Sequence, residues 1–334
     1  VKPAAFTYHR AHDVSDATGL LGELAQAGED PKLIAGGQSL MPMMNFRLAR
    51  PSALVDLGPL RRDPALTSIQ RDDSGLRIGA LVTHRKVEVS GHTLGPDFDV
   101  LSRAMRWVGH LPIRARGTVA GSIVHGDATA EWCLLALLLD AVIVAEGPDG
   151  PGARREIPAA EMFYGFYATA VEPDEVVIEV RFTRPAPRAA LTEFARRHGD
   201  FAIVDAAVSL DVDPADPDGP GPLVGGRVVL GGVAPAPIRV PEAEAVLAGG
   251  VPGPELFAAC GEAAAAAIDP PDDAAYRRRL TRTLVTRALE QAWRKPAAEE
   301  TVQERATGTA SRVTGGTERG SSPPACEAQE GAKG

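Results

Sequence analysis

The sequence predicts an α+β protein with two folded domains. Three observations carry that reading. The first half alternates helical and strand patterns around two glycine-rich loops, β-patterned segments follow residue 173, and helical periodicity closes the fold near Trp293. A sheet followed by helices is the signature of an α+β domain. At 334 residues the chain is also long for one domain, so two cores are expected.

Between Asp16 and Gly28, the residues Ala17, Leu20, Leu21, Leu24 and Ala25 fall on one helical face. Lys32-Leu33-Ile34 reads as a buried strand leading into the first glycine loop, and LVDL (54–57) reads as another strand. LRIGAL (76–81) alternates as a strand, and 97–108 has helical periodicity through Val100, Leu101, Ala104 and Met105. GTVAGSIVHGD (117–127) reads as strand and loop, 130–139 as a buried helix and AVIVAEG (141–147) as a strand.

PDEVVIEVRF (173–182) marks a change of register, and the runs 191–197, 202–212 and 226–234 are β-rich. Between the last two, DPADPDGPGP (213–222) demands an exposed loop. Two or three helices follow, the last over 273–293. The expected domains are 1–175, with subdomains of about 1–58 and 59–175, and 176–296. In 297–334 the larger apolar side chains are Val302 and Val313 alone, too few to offset ordering entropy, so a disordered tail is expected.

Composition narrows the function. With 44% apolar and 24% charged residues the chain is ordinary globular protein, and its net charge of −9 carries no basic block. Nucleic acid and anionic membrane surfaces are therefore not expected partners. Cys133, Cys260 and Cys326 lie far apart, which excludes a disulfide framework and an iron–sulfur cluster held by this chain alone. His9 and His12 have no acidic or thiolate partner at ligand spacing, so no metal site is expected. There is no signal-peptide pattern, and the most apolar segment, 132–145, is too short to span a bilayer. A soluble cytoplasmic protein is expected.

The two glycine loops are the candidate ligand site. Ala35-Gly36-Gly37-Gln38-Ser39-Leu40 leaves a strand with glycines that allow a tight turn and close approach, exposing N–H groups suited to an anion such as phosphate. RGTVAGSIVHGDATAE (116–131) sets Gly117, Thr118, Gly121 and Ser122 in a similar loop and adds Asp127 and Glu131. Two such loops from successive structural units can clamp one pyrophosphate by backbone donors. Neither is GxGxxG, so a Rossmann site is not indicated. Carboxylates at Asp127 and Glu131 suit ribose hydroxyls, and they equally suit a helix N-terminus beside its dipole.

AGGQSLMPMMNFRLARPSALVDL, IGALVTH, IRARGTVAGSIVHGDATAEW, EPDEVVIEVRF, ARRHGDFAIVDAAV and IDPPDDAAYRRRLTRTLVTRALEQA occur in this order over residues 3–293. Together they resemble the FAD-binding medium subunit of molybdenum hydroxylases of the carbon monoxide dehydrogenase and xanthine dehydrogenase type. The resemblance implies a two-subdomain FAD domain of the vanillyl-alcohol-oxidase (PCMH) type, followed by an α+β flavoprotein C-terminal domain. It implies that Ala35–Leu40 and Thr118–Ser122 hold the FAD pyrophosphate and that Asp127 and Glu131 serve the adenosine side. It implies that Val171 and Phe201 lie near the isoalloxazine, with Arg196 and Arg197 in the same motif. Three departures stand out: Ala120 where a second adjacent glycine is usual, Asp205 where a small residue is common, and a shortened loop before Tyr276.

No nucleophile–base pair and no metal set appears, so the hard chemistry is the cofactor's and no catalytic side chain is expected. The resemblance further implies an electron-transfer subunit between iron–sulfur clusters and an acceptor. Its partners would be a [2Fe-2S] small subunit and a molybdopterin large subunit, in a heterotrimer that is often doubled. A stand-alone flavin oxidoreductase and an assembly protein with a decayed flavin site are the alternatives. The intact hydroxyls and glycines of both loops argue against decay.

Overall fold

Three parallel strands come first. The computed structural model, which describes residues 2–213, 215 and 221–294, places Thr7–Arg10 and Pro31–Ile34 on either side of Ala53–Asp56. Parallel neighbours require a crossover, and the helix Val14–Gln26 supplies one. Asp13 caps this helix by accepting from the Asp16 N–H at 2.8 Å, so it begins two residues before the expected Asp16. Ala17 and Leu21 face inward, and Gly28 at φ +83° turns the chain away.

A five-stranded antiparallel sheet follows, in the order Ile69–Asp72, Gly75–Gly79, Val176–Phe182, Ala141–Glu146, Arg154–Pro158. Val176–Phe182 is its central strand and is buried along most of its length. The first unit's sheet thus extends past the boundary expected at residue 175. The acid–proline turn before this strand is a connection within the unit.

The C-terminal sheet runs Ala189–Phe194, Val204–Asp211, Gly225–Gly231, Ile238–Arg239, all antiparallel. Its strands alternate with period two. Val204, Ala206, Val208 and Leu210 join the core built with the helices Pro254–Ala267 and Ala274–Trp293. Ala207 and Val229 join the first unit's core instead, against the helix Glu131–Leu138. That helix is clamped between two sheets, which is why seven of its eight residues are buried and no amphipathic stripe marks it in the sequence. Trp132 at its start is wholly buried.

Residues 117–127 differ from the expected strand and loop. They form a helix, Val119–His125, opened by Thr118 and closed by Gly126 at φ +67°. The Thr118 hydroxyl accepts from the Gly121 N–H at 3.1 Å, a local cap that outweighs the β-branched residues of the stretch. The only β-pairing here is an isolated bridge between Thr83 and Thr118. Residues 297–334, expected to be a tail, lie outside the described residues. Among the described residues no helix is long and apolar enough to cross a membrane.

Candidate functional site

The first loop leaves the strand Pro31–Ile34 and enters the short helix Leu40–Asn45. Gly37 sits at φ +70°, a left-handed conformation that disfavours a side chain. The five consecutive N–H groups from Gly36 to Leu40 donate to no acceptor among the described residues. Ser39 precedes the helix without making a side-chain cap, so its hydroxyl is also uncommitted. The amide of Gln38 is committed, donating to the Gly36 carbonyl at 2.9 Å.

The second loop lies directly against the first. A β-carbon on Gly36 would stand 2.7 Å from Gly117 Cα and would collide with the Arg116 carbonyl. Gly117 in turn rests on the buried His84 ring, whose Nδ1 accepts from Trp132 Nε1 at 2.9 Å. Burial, and secondarily the Arg114 charge, pushes His84 down to about 4, so the ring is neutral and carries its proton on Nε2. Thr118 is committed to its helix: its hydroxyl accepts from Gly121, and its carbonyl accepts from the Ser122 N–H at 3.1 Å. Within 117–122, the half-buried Ser122 hydroxyl and the N–H groups of Thr118 and Ala120 have no partner among the described residues. Ala120 is not among the residues with positive φ, so its β-carbon adds no backbone strain.

Where the loops meet, a cleft of about 460 Å³ opens, lined by Gly36, Gly37 and Gln38 together with Tyr8, Asp56 and Arg116. Tyr8 donates to Asp56 Oδ2 at 2.6 Å, and that bond, more than burial, raises its phenol above the ordinary range. The Arg116 guanidinium has no hydrogen-bond or ion-pair partner among the described residues. The sequence did not signal these three, because each reaches the cleft only through tertiary packing. A row of unshared N–H donors beside an unpaired guanidinium fits an anionic pyrophosphate.

Asp127 and Glu131 lie beyond the far end of the Val119–His125 helix. Asp127 is a loop builder: its Oδ1 accepts from both the N–H and the hydroxyl of Thr129 at 2.8 Å, and its Oδ2 from the Tyr167 hydroxyl at 3.3 Å. Among the described residues no other residue hydrogen-bonds the Glu131 carboxyl, which has only its own backbone N–H beside it. Burial foremost, and the Asp127 charge, push it up to about 7. The facing strands add Glu193, pushed up to about 8 by burial and then by Glu131, and the wholly buried Asp205. Val171 is partly buried against the first unit's core, whereas Phe201 is 70% exposed and belongs to no core. The structure thus joins 35–40 with 116–122 and sets Asp127 and Glu131 in a separate acidic group. It leaves Phe201 as an uncovered ring.

Comparison with known proteins gives concordant results. Residues 4–185 match the family model of the FAD binding domain in molybdopterin dehydrogenase, and 189–292 match that of the CO dehydrogenase flavoprotein C-terminal domain. The chain is 39% identical over 299 residues to the 6-hydroxypseudooxynicotine dehydrogenase complex subunit alpha of Paenarthrobacter nicotinovorans, covering 87% of this chain and 96% of that one. It is 33% identical to the carbon monoxide dehydrogenase medium chain of Hydrogenophaga pseudoflava, covering 88% and 99%. Among solved structures, carbon monoxide dehydrogenase from Hydrogenophaga pseudoflava matches with a TM-score of 0.79 at 34% identity, over 89% of this chain and 100% of that one. Quinoline 2-oxidoreductase from Pseudomonas putida 86 matches with a TM-score of 0.79 at 31% identity, over 88% and 98%.

Proposed function

The chain belongs to the family of FAD-binding medium subunits of molybdopterin dehydrogenases, and from that premise we propose that it passes electrons from iron–sulfur clusters on a partner subunit to a terminal acceptor. Its cofactor is FAD, and it is the flavin subunit of a molybdenum hydroxylase-type oxidoreductase. Bound flavin supplies the redox chemistry, since it takes two electrons and can release them singly.

This chain's residues have the task of binding and orienting. The N–H groups of Gly36, Gly37, Gln38, Ser39 and Leu40, the Ser122 hydroxyl and Arg116 are the proposed pyrophosphate donors. Ala35 brings the strand to that turn. Thr118 and Gly121 form the cap that aims Ser122, and Asp127 holds rigid the loop that presents Glu131 to a cofactor hydroxyl. Val171 and Phe201 are the proposed neighbours of the ring. The observation that carries the reading is the row of five uncommitted N–H groups at the point where the two loops touch.

The proposed partners are a [2Fe-2S] small subunit and a molybdopterin large subunit in a heterotrimer, often doubled. The names of relatives as a complex subunit and a medium chain support them. Under anaerobic conditions, the organic substrate of the assembled complex is expected to bleach the flavin absorbance. The isolated flavin-loaded chain is expected not to respond to the same substrate. Turnover of an aldehyde, an N-heterocycle or an alcohol by the isolated chain would replace this reading with that of a stand-alone oxidoreductase.

A further inference from the structure

Asp205 is wholly buried in the middle of a sheet, and among the described residues neither of its carboxylate oxygens has a hydrogen-bond partner. It lies in the strand Val204–Asp211, in register with Glu193 on one side and Gly231 on the other. The period-two alternation turns it toward the first unit, away from the helices that cover the opposite face. The glycine at 231 is what lets it fit. A β-carbon there would collide at once with Asp205 Oδ1 and with the carbonyl oxygen of Ala128. Those two oxygens therefore border the same small space, one from each domain.

The Ala128 carbonyl is also without a partner, since no N–H or side chain among the described residues donates to it, and Ala128 is buried. Two acceptors left unsatisfied side by side cost free energy twice over. One proton pairs the two and removes the buried charge, because a neutral carboxylic acid is a donor and a carboxylate is not. The groups facing Asp205 favour that proton. Burial acts first, followed by Glu131 on the helix Glu131–Leu138, Glu193 on the adjacent strand and Asp127 in the preceding loop; the buried Cys133 on the same helix is held as a neutral thiol. Arg277, on the covering helix Ala274–Trp293, is spent on the carbonyls of Ile203 and Gly232 and on Asp272.

We propose that Asp205 is held as a neutral carboxylic acid whose O–H donates to the Ala128 carbonyl, tying the C-terminal sheet to the 127–131 loop and so positioning Glu131. Asp205 is a positioning residue, since neither oxygen is accessible to a ligand. The tie is a property of the protein alone. Its consequence for flavin affinity rests on the cofactor site proposed above.

The test is infrared spectroscopy of the apoprotein near neutral pH. The chain is expected to show a protonated-carboxyl band that shifts when aspartate alone is 13C-labelled and that vanishes in Asp205→Asn. Burial pushes Asp205 well above the usual carboxylate range, so the labelled wild-type chain carries the test even if the variant fails to fold. Absence of a label-sensitive band would overturn the proposal. In flavin titrations, Asp205→Asn keeps a donor and is expected to hold wild-type affinity, whereas Asp205→Val loses about fivefold. Equal losses in both variants would overturn the donor role. A wild-type chain that shows the band yet binds no FAD would refute the proposed cofactor site and leave the tie standing.

Discussion

Gly36 and Gly117 meet backbone to backbone, with Gly117 Cα only 2.7 Å from where a β-carbon on Gly36 would stand. Neither side of the contact is a flexible side-chain end that can swing aside. The pairing turns two loops distant in sequence into one donor surface, and it gives the glycine at 36 a reason other than turn geometry.

Gly36→Ala is expected to force the loops apart, costing about 1–3 kcal/mol as overpacking does. FAD content after purification should fall with it. Gly37→Ala is the contrast, because its strain is conformational and its new β-carbon would meet side chains, of Ile34 and Met41, at 3.3 Å. The melting temperature and the flavin-to-protein ratio of both variants check this. Equal flavin loss in the two would show that loop contact is not what matters.

Arg116→Gln is expected to weaken FAD binding by about ten- to a hundredfold, the worth of a hydrogen bond to a charged group. The effect should shrink as salt rises, because an exposed guanidinium is screened. Titration of the apoprotein at low and high ionic strength reads both quantities. An affinity that is unchanged at low salt would remove Arg116 from the site.

Glu131 and Glu193 make the fold sensitive to alkali. Burial first, and then a neighbouring acid, raises them to about 7 and about 8, whereas an unfolded Glu titrates near about 4.3. Between those values the folded chain keeps protons that the unfolded chain has released, so stability declines as pH rises until both groups ionise. His84 works in the opposite sense, but only below about 6.5, because its folded value is lowered. The melting temperature is therefore expected to fall between about pH 6.5 and pH 8, and Glu193→Gln should make the slope shallower. A flat profile over that interval would contradict the buried acidic group.

The elements legible in the sequence are those whose periodicity reaches a core. The face of Ala17, Leu20 and Leu21 and the strands around 204–211 and 225–231 belong to that class. Thr7–Arg10, Ile69–Asp72 and Arg154–Pro158 escape because they are edge strands, mostly exposed and polar, and they present no alternation. The helix Val119–His125 escapes because one threonine hydroxyl decides it. The two glycine loops were legible as a candidate site from their residue types. Arg116, Tyr8 and Asp56 were not, since only the folded chain brings them to the cleft. Asp205 was visible as a departure, but its meaning required Gly231 and Ala128 beside it.

Gly121 and Ser122 separate scaffold from contact within one turn of helix. A β-carbon at Gly121 would lie 2.6 Å from the Thr118 hydroxyl, the acceptor that caps this helix through the Gly121 N–H. Gly121→Ala is therefore expected to unseat the cap, costing about 0.5–2 kcal/mol, and to lower the melting temperature of the apoprotein. Ser122 has already given its N–H to Thr118, so only its hydroxyl is available to a ligand. Ser122→Ala should leave the apoprotein as stable as before, since alanine is the better helix former, while FAD affinity drops by about ten- to a hundredfold. Ser39→Ala should behave like Ser122→Ala, because the Ser39 hydroxyl makes no cap for its own helix. Apoprotein melting and flavin titration on all three variants read the two effects independently. If both serine variants keep wild-type flavin affinity, neither hydroxyl touches the pyrophosphate and the donor surface consists of the first loop's N–H groups and Arg116.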